Sequence, residues 1–236
     1  MLITQCRIKM NKLILATILL AINADFVISQ QVPSISTAPK FFLDIQTGYA
    51  DYFSIGASGA IADFTYDLPL AIKFGINYNI NNAGDPWAAR KIFINDNTNG
   101  DPEKSAHSFN LRLDFAYPVN LFPVRRTYLY AGPRLSFYTA NFEFVGGNEF
   151  FDIQSTQFGL GAGLEAHLGM SQNLSFIISG GVDYFFDSEI GGHDTFYSPD
   201  GTDISGRLDY TYDDADQAIG QPDFVVRMMF GLSFGL

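Results

Sequence analysis

Hydrophobic side chains recur at every second position through long stretches of this chain. From Leu70 onward, Leu70, Ile72, Phe74, Ile76, Tyr78 and Ile80 are apolar, and the residues between them are small or polar (Ala71, Lys73, Gly75, Asn77, Asn79). The same period governs Ser108–Tyr117, Gln157–Leu168 and the terminal run Phe224–Leu236. Successive side chains of a strand point to opposite faces, so each segment is a strand with one oily face and one small or polar face. A helix would spread the same residues around its circumference. Weaker alternation at Phe41–Tyr49, Ala60–Leu68, Leu129–Phe137 and Leu174–Tyr184 brings the predicted strands to eight. In the second of these, Ala60, Ala62, Phe64, Tyr66 and Leu68 form the oily set and Asp63 falls on the other face. Pro133 has no N–H to give to a ladder and belongs at a bulge or an edge.

The links between these strands alternate in length. Links two, four and six are short or moderate (Asp67-Leu68-Pro69, about Pro118 to Thr127, and Gly169 to Asn173). Links three, five and seven run over about 81–106, 141–155 and 187–223, while link one, Asp51 to Ser58, departs by being short. Bacterial transmembrane barrels have short periplasmic turns and longer outer loops. The expected fold is therefore all-β, an eight-stranded antiparallel up-and-down transmembrane barrel over residues 40–236.

The non-oily face decides which side meets lipid. It is rich in Gly, Ser and Ala and carries charges of both signs: Asp44, Asp63, Asp114, Glu165 and Asp183 against Lys73, Arg112, Arg134 and Arg227. Small residues suit a narrow lumen, and opposite charges can pair within it. Aromatics cluster near strand ends (Tyr49, Tyr66, Tyr78, Phe109, Tyr117, Tyr184, Phe224, Phe234), as interfacial girdles require. The oily face is expected to contact lipid.

Composition changes the picture little. Charged residues are 17% of the chain and apolar ones 47%, without an apolar run long enough for a helical span. Arg7, Lys9 and Lys12, the apolar core Leu13–Ile22 and the small-residue stretch ending at Ser29 read as a signal peptide over 1–29, followed by a short periplasmic lead over 30–39. Met10 would serve equally as the start. The single cysteine, Cys6, precedes the apolar core, so the exported part has no thiol for disulfides or metals. Without that segment 14 basic and 25 acidic residues become 11 and 24, a net charge of −13 that repels nucleic acid.

Gly231, Phe234 and Leu236 fit a pattern similar to the C-terminal assembly signal of outer-membrane proteins, with Met229 where that signal has a polar residue. With eight strands, the chain resembles the small OmpA/OmpX-like barrel superfamily, particularly the outer-membrane β-barrel domain proteins common in Bacteroidota. The resemblance, over about residues 40–236, implies export to the outer membrane of a Gram-negative bacterium. It also implies partners in membrane lipid and in the barrel-assembly machinery, engaged through the last strand.

Candidate chemistry is sparse. Arg112, Asp114, Arg134 and Glu165, supplied by neighbouring strands four to six, form the expected lumen cluster, as a salt-bridge plug rather than a conduit or proton-linked site. Adjacent His107 and Ser108 must lie on opposite faces, His167 lies on the lumen face and His193 in a loop. No catalytic residue, cofactor or metal site is therefore expected. In the loop 187–223, the groups Asp200-Gly201-Thr202-Asp203 and Asp213-Asp214-Ala215-Asp216 lack the distal Glu of a calcium loop. This loop is expected to be a solvated acidic segment whose aromatics, Phe196, Tyr197, Tyr210 and Tyr212, would meet a surface partner. The favoured role is structural or surface interaction. A small subunit of an export or assembly machine comes second, and a lipid A-modifying enzyme third.

Overall fold

The computed structural model describes residues 40–63, 69–95, 99–121, 126–147 and 149–236. The expected signal segment, the lead over 30–39, and Phe64, Tyr66 and Leu68 of the second predicted strand lie outside them. Seven strands run in chain order: β1 (Lys40–Ala50), β2 (Tyr52–Ala62), β3 (Ala71–Asn81), β4 (Asp101–Val119), β5 (Thr127–Val145), β6 (Phe150–Gly169) and β7 (Leu174–Phe185). A short hairpin, β8 (Ile190–Gly192) and β9 (Thr195–Tyr197), precedes the last strand, β10 (Phe224–Gly235). Each barrel strand pairs antiparallel with its sequence neighbour, β7 pairs with β10, and β10 with β1, which closes an eight-stranded barrel.

The second strand lies earlier than its alternation suggests. After Ala50 the chain reverses at Asp51, whose φ of 67° is tolerated by Asp in tight turns, and Ala50 pairs directly with Tyr52. The outward set of β2 is therefore Phe53, Ile55, Ala57, Gly59 and Ile61, and Ala62 is buried. Ala60 and Ala62 thus belong to the inner face, contrary to expectation. Asp63 is not a lumen charge either. It ends β2 and pairs with exposed Lys40 at 2.8 Å.

Pro133 sits inside β5, opposite Leu160 of β6. On the other side the β4–β5 register lapses between Arg112↔Arg134 and Phe115↔Ala131, where the missing N–H falls. The break is put to use: Arg134 Nη1 donates to the carbonyls of Gly132 (3.2 Å) and Pro133 (3.0 Å).

Strands β4, β5 and β6 contain 19, 19 and 20 residues against 11 or 12 in the other barrel strands. Their outward residues are apolar from Phe109 to Val119, Leu129 to Phe137 and Phe158 to Leu168. At roughly 3.3 Å per residue the Phe109–Val119 run is about 33 Å long, which on a strand tilted about 40° spans the ~25 Å apolar band of such barrels. Rings at its upper edge touch one another, with Tyr78 and Phe109 centred 5.1 Å apart and Tyr184 and Phe186 5.3 Å apart.

Beyond that edge the two faces exchange character. Glu103, Ser105, Thr139, Asn141, Glu143, Asp152 and Gln154 now point outward, while Ala106, Ala140, Phe142, Phe144, Phe151 and Ile153 are buried inside. The inner apolar residues are covered by α1 (Pro86–Phe93), by α2 (Tyr212–Ala218) and by β8–β9, which together build a core containing Ile92, Phe93, Ile190, Tyr197, Ala215 and Ile219. Segments 101–106, 141–145 and 150–155, expected as loops, are strand. The acidic loop 187–223 is likewise no simple solvated segment. Tyr197 is fully buried and bonds the Ile92 carbonyl at 3.2 Å, and Tyr210 and Tyr212 pack against the core, while Asp194 and Asp209 remain exposed.

Both helices are capped. Asp85 accepts from the backbone N–H of Trp87 and Ala88 with Pro86 at the first position of α1, and Thr211 and Asp214 form a capping box on α2. The Thr211 backbone N–H and hydroxyl, both 2.8 Å away, hold the Asp214 carboxyl below its ordinary range. A lowered carboxyl pKa stabilises the fold above the normal carboxylate range and stops doing so as pH falls through the lowered value. Amide exchange in α2 should therefore accelerate in acid. Thr211→Ala should bring that acceleration to neutral pH, costing about 1 kcal/mol locally. Exchange in α2 that is equally slow at pH 7 and pH 3 in the unaltered protein would contradict this.

Candidate functional site: the barrel lumen

Every inward position of the barrel wall faces a space just wide enough for side chains. The buried charged residues of the described barrel strands are four acids (Asp44, Asp114, Glu165, Asp183) and four bases (Lys73, Arg112, Arg134, Arg227). Every one of them is ion-paired, and they fall into two groups.

The larger group joins β4, β5, β7 and β10. Asp114 binds Arg112 at 2.8 Å and Arg134 at 2.6 Å, while Asp183 binds Arg134 at 2.8 Å and also Arg227. Tyr130 completes it: its hydroxyl donates to the Gly180 carbonyl at 3.3 Å, and the Arg112 and Arg227 guanidinia lie 5.5 and 5.8 Å from its ring centre. Glycines make the room. A Cβ on Gly161 would overlap Asp183 Oδ1 and lie 2.6 Å from Arg134 Nε, and Cβ atoms on Gly163 and Gly181 would crowd the Tyr130 hydroxyl. Gly161→Ala should then cost about 1–3 kcal/mol, read as a lowered urea midpoint in lipid vesicles. Gly59→Ala, where a Cβ meets nothing within 4 Å, should leave that midpoint unmoved.

The second group lies toward the mouth of the barrel at which β1 and β3 begin. Lys73 sits 2.7 Å from both Asp44 and Glu165, Gln46 donates to Glu165 at 3.2 Å, and His167 Nε2 lies 2.8 Å from Glu165. Of the expected cluster, then, Arg112, Asp114 and Arg134 meet one another, whereas Glu165 does not join them and pairs with β1 and β3 instead. Neighbouring strands supply Asp114–Arg134 and Asp183–Arg227. In so narrow a barrel, however, Lys73 also reaches Glu165 and Arg134 reaches Asp183 from strands that are not adjacent, so depth along the wall decides partnership as well as adjacency.

The space left over is small. A void beside Gln46, Lys73, Asn77, Arg112 and Asp114 measures about 10 Å³, and one at the mouth beside Phe42, Lys73, Tyr128 and His167 about 30 Å³. A single water needs roughly the former.

The remaining predicted sites are dispersed. His107 shares the outward face of β4 with Ser105, a pairing the alternation alone did not single out, but its ring stacks on Tyr78 with centres 5.7 Å apart. His193 turns the β8–β9 hairpin at φ 51°. Asp213, Asp214 and Asp216 lie on α2, where Asp214 caps the helix and Asp216 accepts from Gln221 at 2.7 Å. Gly231 stands at the β10–β1 seam, where a Cβ would overlap the Ile45 carbonyl oxygen. Phe234 points outward beside it, and the backbone N–H of Leu236 donates to Phe41 at 3.0 Å.

A closed eight-stranded barrel with an apolar outer belt and an ionic interior defines the class: this chain has the fold of outer-membrane β-barrel proteins. Among solved structures it is similar to a major outer membrane protein from Thermus thermophilus, with a TM-score of 0.69 and 22% identity over 84% of this chain and 100% of that one. Neisserial surface protein A also matches, with a TM-score of 0.33 and 10% identity over 83% of this chain and 94% of that one. No protein-family model matches the chain, and no curated protein does.

Proposed function

We propose that this chain is an integral protein of the Gram-negative outer membrane whose lumen is plugged and whose outer cap is its working surface, in a structural or surface-interaction role. The observation that carries the reading is the pairing of all four buried acids with all four buried bases of the described barrel strands, beside voids of about 10 and 30 Å³. A solute path would need room that these side chains occupy, and moving them would leave buried charges unpaired. Gly231, Phe234 and Leu236 would present the closing strand to the assembly machinery, and the belt residues would meet membrane lipid. Single-channel recording of the purified protein in planar bilayers tests the plug. The expected result is a bilayer without steady conductance steps; stable ohmic steps from the unaltered protein would overturn it.

A further inference from the structure

Above the membrane belt, the outer end of β6 borders a feature that a closed lumen does not use. An open groove of about 820 Å³ lies over the sheet face shared by Asp152, Gln154 and Thr156 of β6 and by the β8–β9 hairpin hydrogen-bonded to it. Gln154 pairs with Gly191 and Gly191 with Phe196, so one cross-strand row reads amide, bare backbone, aromatic. A Cβ placed on Gly191 would meet only the Phe196 Cβ, at 3.9 Å. Packing therefore leaves room for a side chain there, and its absence hollows the groove between an amide and a ring.

The chemistry of the rim selects the occupant. Asp152, Glu189 and Asp194 bring three carboxylates to the groove, and its one basic group, the His193 imidazole, already sits 3.2 Å from Asp194. The surrounding segment 187–223 holds ten Asp and Glu against Arg207 and His193, so the potential over the cap is strongly negative. A Lys or Arg stem laid along Gly191 and Phe196 would bury its methylenes against the ring and backbone while its charged head met the carboxylates. The same carboxylates repel phosphorylated headgroups and nucleic acid.

We infer that this groove docks a basic, extended polypeptide segment, with one Lys or Arg side chain filling the notch at Gly191. The inference deepens the proposed role, since it rests on the cap being the working surface, and it gives the partner a chemistry.

Fluorescence anisotropy with labelled octalysine, on the whole protein in lipid nanodiscs at about 50 mM salt, tests it. Saturable binding is expected, weakened about tenfold by Gly191→Val, which fills the notch, and at least about tenfold by the pair Glu189→Gln and Asp194→Asn, which removes two of the three carboxylates. Asp209→Asn, exposed and outside the groove, should change affinity less than about twofold. Should Gly191→Val lose the heat-modifiable folded form, Phe196→Ala replaces it, with the same loss expected. Absence of binding overturns the inference, and so does binding indifferent to Gly191→Val or Phe196→Ala, which would mean diffuse attraction to the acidic cap. A neutral oligosaccharide that outcompetes octalysine would overturn the ligand class. None of these outcomes alters the conductance result, so failure of the groove and failure of the plugged lumen remain distinguishable.

Discussion

Replacing Arg134 with alanine is expected to lower the unfolding free energy of the barrel in lipid vesicles by about 3–5 kcal/mol. Arg134 is 1% exposed and is held by both Asp114 and Asp183. Its removal leaves two carboxylates in a dry interior, each with one guanidinium partner instead of two. It also empties the space beside Gly161, and water entering there would weaken the pairs that remain. Conductance steps absent from the unaltered protein should follow. A loss below about 1 kcal/mol would mean that the lumen is wet enough for its charges to need no partners.

Leu164→Arg should cost about 2–4 kcal/mol, because its side chain points outward within the apolar belt and an arginine there would sit in acyl chains. Leu111→Arg, one outward position below Phe109 at the upper edge, should cost less. Leu164 lies near the middle of the outward apolar run Phe158–Leu168 of β6, between Leu129 of β5 and Gly180 of β7. Thr139→Arg faces the same way, two residues beyond Phe137, and should change stability by less than about 0.5 kcal/mol. The contrast places the upper water boundary between those two positions. Equal penalties at Leu164 and Thr139 in urea titrations would show that the boundary lies elsewhere.

The wall was legible because alternation with large apolar residues leaves only one phase, as in Leu70–Ile80 and Phe224–Leu236. In β2 the signal fails for a physical reason: Ala57, Ser58, Gly59 and Ala60 are small on both faces, so the phase follows Phe64, Tyr66 and Leu68 rather than Phe53 and Ile55. The unusual shortness of the first link was the available clue. The cap is not legible in the alternation, because Phe142 and Phe144 share the parity of the lumen face, where an oily residue departs from the pattern of a membrane-spanning wall. Of the lumen, membership could be read from parity for Arg112, Asp114, Arg134 and Glu165, since parity sets the side of the wall. Pairing could not, because it depends on how strands stagger around the closed sheet. The glycines carry the signal for the larger group: Gly163 stands opposite Tyr130, and Gly161 and Gly181 leave room beside Arg134 and the Tyr130 hydroxyl.

The exchange of inner and outer character along β4, β5 and β6 means that one sheet is held together by two different solvents. In the outer-membrane role proposed above, its lower part would rest on hydrocarbon, which gains nothing from keeping Leu or Phe away from water, whereas its upper part is a small globule assembled by water itself. Cooling and urea both weaken the second kind of cohesion more directly than the first. The crown of the molecule can therefore melt while the wall beneath stays shut.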